Sequence, residues 1–371
     1  MLTEFRDVLR DPAAYGKRLK EEGGRKVVGY LCSYAPEEMI YAAGAHPFRL
    51  FGTGDDIHLA DAHFQSYCCS LVRGALEGAL AGRFDFLDGV VFPHTCDSIQ
   101  RLSDVWRINM HGHFHLDVVL PVKLDTDSAK AYMTDVLEKF RSDLERKLGT
   151  SITEDGLKKA ARTFNDIRGS LKRLYELKSE NPGIVSGADL YAVVKASMIM
   201  DRDRVVRLLP GVVRELEKRR GTGEGEEGKR LVLAGGICNH PDVYRVIEEA
   251  GGVVVWDDLC TGSRHFEGVT EDTGSPVADL AGHYLARPAC PAKHSGLYSR
   301  AEHLVEIVKE KRAAGVVFFF LKFCDPHSFD YPYLKKALDE AGIPSMVLEV
   351  EDRLPSEGQL TTRFETFVHM I

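Results

Sequence analysis

Cysteines are the residues of this sequence best suited to chemistry, and four of them follow short apolar runs. Cys32 comes directly after KVVGYL, Cys96 lies three residues after GVVFP, Cys260 follows GVVVWDDL, and Cys324 follows GVVFFFLKF. Such runs predict β-strands, and α/β proteins build ligand sites at the carboxyl ends of parallel strands. Four cysteines on four strands therefore predict one shared site.

The residues around two of these cysteines predict helix N-termini. Asp97 and Ser98 are suited to cap the helical pattern that follows Cys96. Cys96 would then lie where free backbone amides and the helix dipole favour a thiolate. Cys324 has a similar context, with Pro326 suited to a first helical turn. A thiolate held in this way is a metal ligand or a nucleophile.

The alternative is that these cysteines are small buried apolar residues. Cys238, after RLVLAGG, is a fifth candidate ligand because it also follows a predicted strand. Cys68 and Cys69 lie at the start of another helical pattern, and of these two we favour Cys69 as a ligand. Cys290 is ambiguous on its own. The sequence has neither the C-x2-C pairs of zinc ribbons nor a ferredoxin-type run. Scattered thiolates fit iron–sulfur better than zinc, and spacing alone leaves zinc open.

Other residues near the cysteines suggest supporting roles. Arg264, four residues after Cys260, is a candidate for binding an anionic group of a substrate. His94, Ser98 and His327 are candidate proton donors, and the alternative for each is an ordinary hydrogen-bonded loop residue. His265 and His294 are also close to cysteines in the sequence.

The elements that must position these residues predict an α/β protein with two Rossmann-like, doubly wound parallel-sheet lobes and a helical middle region. The expected strands are Lys26–Leu31, Gly89–Pro93 and Asp117–Val122 in the first lobe, and Arg230–Ala234, Gly252–Trp256, Gly315–Leu321 and Ser345–Val350 in the second. We expect domains at 1–125, 126–220 and 221–371. The glycine-rich acidic stretch from Gly221 to Lys229 predicts a flexible linker.

Composition narrows the class of function. The 371 residues carry a formal net charge of −8, which argues against a nucleic-acid partner. We expect no membrane partner, because no apolar stretch is long enough to span a bilayer, and a cytoplasmic location, because the N-terminus is not a secretory signal. The sequence has no G-x-x-x-x-G-K-[ST] and no G-x-S-x-G. ATP hydrolysis by this chain is therefore not expected. The G-x-G-x-x-G pattern at Gly223–Gly228 does not follow a predicted strand, so it is not expected to be a dinucleotide loop.

Several motifs together resemble one family. They are YLCSYAPEEMIYAAGAHPFRL, YCCSLVRGALEGAL, FPHTCDSIQRLSDVW, DDLCTGSRHF, FFLKFCDPHSFDYPYLKKALDEAGIPSMVLEVE and GQLTTRFETF. In order and in both lobes, they resemble the 2-hydroxyacyl-CoA dehydratase and benzoyl-CoA reductase family. The resemblance implies two Rossmann-like lobes with an iron–sulfur cluster between them.

The same resemblance implies a set of ligands. Cys69, Cys96 and Cys324 correspond to the cysteines that hold one [4Fe-4S] cluster in dehydratase subunits. A related double-cubane branch holds a sulfide-bridged [8Fe-9S] centre with six cysteines, and its extra positions match Cys32, Cys260 and Cys290. Cys68 and Cys238 would then be spare.

The resemblance leaves four functions open. The first is the iron–sulfur subunit of a benzoyl-CoA reductase-like enzyme that reduces an acyl-CoA thioester. The second is a 2-hydroxyacyl-CoA dehydratase subunit that removes water through a ketyl radical, the third a homodimeric double-cubane reductase of small molecules, and the fourth a non-catalytic electron-relay subunit. The implied partners are an ATP-hydrolysing iron–sulfur activator, and a homologous second subunit or a second copy of this chain.

Overall fold

The computed structural model describes residues 2–52, 56–219, 228–288, 290–351 and 353–371. Within these ranges the strands form two parallel sheets of four strands each, and helices cover them. The predicted α/β class with two Rossmann-like lobes is therefore confirmed. None of the helices in these ranges combines the length and the apolar character needed to cross a membrane.

The N-terminal sheet positions the first cysteines. Its strands are β1 (Val27–Tyr30), β2 (His46–Arg49), β3 (Gly89–Pro93) and β4 (Phe114–Val118). They lie in the order β2-β1-β3-β4. Because the connections pass first to one side of β1 and then to the other, the carboxyl ends of β1 and β3 border the crevice where such sheets bind ligands.

The C-terminal sheet repeats this arrangement. Its strands are β5 (Lys229–Gly235), β6 (Gly252–Asp258), β7 (Gly315–Leu321) and β8 (Ser345–Val350). They lie in the order β6-β5-β7-β8, so the corresponding crevice lies at the carboxyl ends of β5 and β7. The two lobes thus share one topology although the sequence shows no short internal repeat.

One predicted strand was misplaced and one strand was missed. The strand expected at Asp117–Val122 lies at Phe114–Val118, because this edge strand carries polar residues and the apolar run continues beyond it into a loop. Val119 and Val122 are exposed in that loop. The strand β2 was missed, because Pro47 lies inside a run of only four residues and proline argues against a strand.

Helices surround both sheets and continue through the middle of the chain. Those of the N-terminal part are α1 (Leu2–Arg10), α2 (Pro12–Gly23), α3 (Glu37–Ala42), α4 (Ser70–Leu80) and α5 (Asp97–Asn109). The middle helices are α6 (Asp127–Leu148), α7 (Glu154–Glu180), α8 (Gly187–Ser197) and α9 (Arg202–Lys218). The C-terminal part has α10 (Asp242–Glu249), α11 (Ser263–Phe266), α12 (Pro276–Ala286), α13 (Ser299–Glu310), α14 (Asp325–Glu340) and α15 (Glu357–Met370).

The predicted helical middle is present, and α7 ends just before Pro182, as the sequence indicates. The predicted acidic linker lies mostly outside the described residues, since residues 220–227 are not described. The bounds of the three expected domains stay predictions.

Buried ion pairs join the middle helices to α3. Arg168 on α7 pairs with the fully buried Glu38, and Arg202 on α9 lies 3.0 Å from Glu37. The Tyr284 hydroxyl on α12 donates to Glu38 at 2.8 Å. Removing one partner would leave an uncompensated buried charge, which is strongly destabilising. These pairs therefore fix the helical region against the first lobe.

The α12 helix also joins the two halves of the chain through an apolar core. Val277, Leu280 and Tyr284 belong to the same buried cluster as Val28 and Tyr30 of the N-terminal sheet. The N-terminal lobe and this C-terminal helix therefore share a core. Their relative position is fixed by packing, which is what a site assembled from both lobes requires.

We predict that Gly235→Ala destabilises the fold. A Cβ atom at Gly235 would lie 1.9 Å from the carbonyl oxygen of Phe319 on the neighbouring strand β7. Overpacking of this kind lowers the free energy of unfolding by about 1–3 kcal/mol, measured by chemical denaturation. Gly169→Ala is the control, because open space surrounds this helical glycine and alanine should stabilise by up to about 1 kcal/mol. Unchanged stability of Gly235→Ala would contradict this packing.

A second prediction concerns acid stability. Burial, aided by the charge of Arg202, lowers the pKa of His46 from 6.5 to about 3. In the unfolded chain His46 takes up a proton near pH 6.5, whereas in the folded chain it stays neutral down to about pH 3. The free energy of unfolding therefore decreases as the pH falls from 6.5 towards 3. In His46→Gln, whose amide can still donate to the carbonyl of Ile199, the loss between pH 7 and pH 5 should be about 2 kcal/mol smaller. Equal losses in both proteins, measured by denaturant titration, would refute this reading.

Candidate functional site

The cysteines lie where the strand order places ligand sites. Cys32 follows β1 and Cys96 follows β3, so both lie at the crevice of the N-terminal sheet. Cys324 follows β7 at the corresponding crevice of the C-terminal sheet, and Cys260 follows the neighbouring strand β6. The loop–strand relationship predicted from the apolar runs is therefore present for all four residues.

Three cysteines occupy the same position at the start of a helix. Cys69 is the N-cap residue of α4, Cys96 of α5 and Cys324 of α14. Asp97 and Ser98 were expected to cap α5, but the helix begins one residue earlier and Asp97 is its first residue. Unpaired amides at a helix N-terminus favour an anion beside them. Each of these thiols therefore lies where a thiolate is stabilised.

Six cysteines approach one another closely enough for their charges to interact. Cys96 interacts in this way with Cys69, Cys32 and Cys290, Cys324 interacts with Cys69, Cys96 and Cys290, and Cys290 also interacts with Cys260 and Cys32. The first three in chain order come from the N-terminal lobe and the other three from the C-terminal part. The fold thus brings together thiols that are distant in the sequence.

Burial disfavours the charged form of four of these thiols, those of Cys69, Cys96, Cys290 and Cys324. Burial first, and the neighbouring thiols second, raise the pKa of Cys96 and of Cys290 to about 12. The pKa values of Cys69 and Cys324 are also raised, and burial is again the main cause. At Cys96 the backbone amide of Ile99 opposes the shift. Several thiolates could therefore coexist here only beside a positive centre.

Backbone strain accompanies two of the cysteines. Cys32 itself and Phe323, which precedes Cys324, both have φ of 64°, in the left-handed region that residues other than glycine rarely adopt. Such conformations persist where the surrounding structure holds them, and they concentrate at functional sites. Both lie at the group of six cysteines.

The other two cysteines have different surroundings. Cys238 is fully buried, its Sγ lies 3.5 Å from the carbonyl oxygen of His240, and its nearest charged groups are Lys195 and Asp257. Cys68 points towards Gln65, with Sγ 3.9 Å from Oε1. Neither belongs to the group of six, although Cys68 lies beside Cys69.

Arg264 lies in the interior rather than on an open surface. It is 2% exposed, and its guanidinium donates to the carbonyl of Gly235. Its Nε lies 3.4 Å from Asp258 Oδ1 without forming a hydrogen bond. Burial opposes ionisation of Asp258, but Arg264 and Arg300 outweigh it and hold its pKa below the usual range. The structure thus places Arg264 beside Asp258, Cys260 and Cys290.

His94 belongs to a chain of polar contacts beside Cys96. Its Nε2 lies 2.8 Å from Asp117 Oδ1, which also accepts from the hydroxyl of Ser103 at 2.5 Å. The same hydroxyl lies 2.7 Å from His115 Nε2. His94 is only partly buried, so this chain leads from the cysteine loop towards solvent. The geometry suits a residue that holds or passes a proton.

The other two candidate proton donors lie on helices. Ser98 is half-buried in the first turn of α5. His327 is buried in the first turn of α14, where its Nε2 packs against Gly236 and its Nδ1 has no hydrogen-bond partner. Burial, together with the charge of Arg264, holds the pKa of His327 well below its ordinary value. This imidazole is therefore neutral.

Sequence reasoning missed two cations at the site. Lys293 is buried near Cys32, Cys290 and Cys96, and its Nζ donates to the carbonyl of His94 at 3.3 Å. Arg49, at the end of the missed strand β2, donates to the carbonyl of Cys260 at 2.9 Å. A lysine three residues after Cys290 was the only available signal for the first, and nothing in the sequence marked the second.

The donor set limits what the site could bind. In the described part of the chain, no three His, Cys, Asp or Glu side chains are arranged to hold a single metal ion. The six thiols are close enough to one another to interact electrostatically, but they do not surround a single point. All six are soft sulfur donors. In a polynuclear cluster each thiolate binds a different metal atom, so its ligands are more widely spaced.

Comparisons with known proteins agree with the motifs. The family model described as "2-hydroxyglutaryl-CoA dehydratase, D-component" matches residues 32–371. The (R)-phenyllactyl-CoA dehydratase beta subunit of Clostridium sporogenes is 29% identical over 367 residues, which are 98% of this chain and 96% of that protein. A benzoyl-CoA reductase subunit of Thauera aromatica is 30% identical over 331 residues, which are 86% and 84% of the two chains.

A third relative also matches this chain over nearly its full length. The (R)-2-hydroxyglutaryl-CoA dehydratase beta subunit of Acidaminococcus fermentans is 27% identical over 378 residues, covering 100% of this chain and 99% of that protein. The family predicted from the sequence motifs is confirmed. The chain belongs to the 2-hydroxyglutaryl-CoA dehydratase D-component family of enzymes, together with subunits of 2-hydroxyacyl-CoA dehydratases and of benzoyl-CoA reductase.

Proposed function

We propose that this chain is the iron–sulfur subunit of a benzoyl-CoA reductase-like enzyme and that Cys69, Cys96 and Cys324 hold a [4Fe-4S] cluster. The observation that carries the proposal is the convergence of three N-cap cysteines from two lobes. Cys69 is buried, Cys96 and Cys324 are partly buried close to it, and each of the three has helix amides near its sulfur. Three protein thiolates on a cubane would leave one iron open to another ligand.

The residues fit such a cluster by their chemistry. The group contains sulfur donors that burial keeps protonated until a positive centre replaces the protons. Apolar surroundings exclude water, since Cys69 belongs to the main hydrophobic cluster, and Cys96 and Cys324 pack against it. Soft, buried thiolates are the ligands that iron–sulfur clusters prefer.

We also propose that Cys32, Cys260 and Cys290 hold a second cubane, bridged to the first by sulfide. The support is that Cys290 interacts electrostatically with members of both groups of three. Iron and sulfide analysis would then give about eight irons per chain rather than about four.

The clusters would supply low-potential electrons to an acyl-CoA thioester. The protein's own part is to exclude water and to position a proton. His94, held by Asp117, is the proposed proton donor on the open side of the site, because it is partly exposed. The neutral imidazole of His327 and the half-buried Ser98 are the alternatives. Arg264 is proposed to stabilise negative charge from the interior.

A 2-hydroxyacyl-CoA dehydratase subunit is the second candidate function. It is favoured by coverage, because the dehydratase beta subunits align with 98% and 100% of this chain and the reductase relative with 86%. Incubation of the anaerobic enzyme and an electron donor with an aromatic acyl-CoA and with a 2-hydroxyacyl-CoA separates the two. Binding of either thioester to the isolated chain would count against a non-catalytic relay.

The electrons must come from elsewhere, and we propose an ATP-hydrolysing iron–sulfur activator as their source. This sequence has no P-loop with which to hydrolyse ATP itself.

We further propose that a homologous second subunit covers five exposed aromatic side chains, which we call the aromatic rim: Tyr67, Tyr298, Phe323, Phe329 and Tyr333. Tyr67 and Phe323 are close to Cys69 and Cys324 in the sequence. All five side chains are exposed, Phe329 by 78%, and the rings of Tyr298 and Tyr333 lie 6.0 Å apart. Exposed aromatic patches mark protein interfaces. Four of the six thiols are only partly buried, so a stable partner would complete their shielding. The relatives are each named as one subunit of an enzyme, which agrees with a multi-subunit assembly.

The ligand proposal predicts iron content. Cys69→Ala, Cys96→Ala and Cys324→Ala should each lose the iron and sulfide of the first cubane, and Cys32→Ala, Cys260→Ala and Cys290→Ala should lower a total of about eight irons to about four. Cys238→Ala is the matched control, because it removes a buried thiol outside the group of six and should retain all iron. Full iron content in the Cys96→Ala protein, purified anaerobically, would overturn the proposal.

The rim predicts an association defect. Phe329→Asp should weaken binding to the co-expressed homologous partner by about tenfold or more, since charge in a buried interface is costly. Ile108→Asp, similarly accessible but at the far end of α5, should bind normally. Sedimentation velocity measures the association. Normal binding by Phe329→Asp would place the partner elsewhere, and self-association of the chain alone would indicate a homodimer.

A further inference from the structure

Three buried cations lie mainly at one half of the six-cysteine group, although one of them, Lys293, also faces Cys96 of the other half. We call Cys32, Cys260 and Cys290 the cationic half, and Cys69, Cys96 and Cys324 the helix-capped half. Lys293, Arg264 and Arg49 contact or face the cationic half. The two halves therefore have different electrostatic surroundings.

Lys293 is the cation with the most direct relation to the thiols. It is 3% exposed, and its interacting charges are those of Cys32, Cys290 and Cys96. Its backbone amide donates to the carbonyl of Cys290 at 2.8 Å, which fixes the lysine beside that residue. Among the described residues, no carboxylate lies within ion-pair distance of its Nζ. The cysteines would therefore be the anionic partners of this ammonium once their thiols are deprotonated.

The two arginines present unused donors in the same region. Arg264 has Nε and Nη1 without hydrogen-bond partners, and Arg49 has Nε and Nη2 without partners, although both residues are almost completely buried. The Nη1 atom of Arg49 donates to the backbone carbonyl oxygen of Cys260, and Arg264 interacts electrostatically with Cys260 and Cys290. Buried cationic donors without partners are costly, and they point to an anion that would accept from them.

The helix-capped half is stabilised in another way. Backbone amides of Leu71 and Val72 act on Cys69, and the amide of His327 acts on Cys324. The carboxylate of Asp325, next to Cys324, adds a negative charge near Cys69. In the cationic half, Asp258 offsets the charge of Arg264, but no ion pair offsets Lys293 or Arg49 among the described residues. The full charges of that ammonium and that guanidinium are larger than the partial charges of amides.

We propose that Lys293, Arg264 and Arg49 make the cationic half the more easily reduced half of the site. This inference rests on the proposed function, because it assumes a cubane in each half. A fixed positive charge stabilises the reduced, more negative form of a cluster, and unused guanidinium donors can hydrogen-bond to its sulfides. Electrons would therefore collect at the cationic half, and the helix-capped half would hold the lower potential.

The test is a redox titration of the full-length, anaerobically purified chain with titanium(III) citrate, followed by electron paramagnetic resonance. Lys293→Gln should move the midpoint potential of the higher-potential centre to a more negative value and leave the other centre where it is. The expected change is at least about tenfold in the reduction equilibrium, which is ~59 mV for one electron. Lys293→Arg should restore the potential.

Lys195→Gln is the matched control. Lys195 is also a buried amine, but its Nζ binds Tyr191 and Asn239, and its neighbouring thiol is Cys238. This variant should leave both potentials unchanged. If Lys293→Gln does not fold, Arg264→Gln removes another charge from the same half and should produce a shift of the same sign.

The outcomes separate the inference from the function. About four irons in the parent chain would refute the second cubane, and the inference with it. About eight irons, with both midpoints unmoved in Lys293→Gln or shifted equally, would refute the inference alone. A shift confined to one centre, restored by Lys293→Arg, would support it.

Discussion

The constraint on which the site depends is the cost of placing several thiols together inside a protein. Burial, with the neighbouring thiols adding to it, raises the pKa of Cys96 and Cys290 to about 12, and each further thiolate raises the cost of the next. A folded chain tolerates the arrangement while the sulfurs stay protonated, or while a positive centre sits among them. The helix N-termini and the buried cations around the six cysteines both stabilise thiolates, so they favour the state in which a positive centre sits among the sulfurs.

The duplicated fold explains how the cysteines meet. Each sheet has the same strand order, and each therefore opens a crevice at the carboxyl ends of its two central strands. The shared core of α12 with the N-terminal sheet joins the two halves of the chain, and the ion pairs of α3 with α7 and α9 fix the helical middle region against the first lobe. Rigid elements, rather than a continuous motif, thus determine the distances between ligands.

Much of this was predictable from the sequence, and what was not has physical reasons. Apolar runs ending in cysteine predicted the strand ends at Cys96 and Cys324, because a buried parallel strand leaves a clear local pattern. The strand His46–Arg49 is short and contains Pro47, so local pattern argued against it. Arg49 and Lys293 act through tertiary neighbours that local sequence does not encode. Asp97 and Ser98 are good caps by type, yet Cys96 holds the cap position because the helix begins directly after it.

The most direct test of the central claim is iron-edge anomalous diffraction from crystals of the anaerobically purified protein. The account predicts anomalous density enclosed by the sulfurs of Cys69, Cys96 and Cys324, in the crevice between the two sheets. Iron bound away from these three sulfurs, or three free thiols in a fully active enzyme, would contradict it.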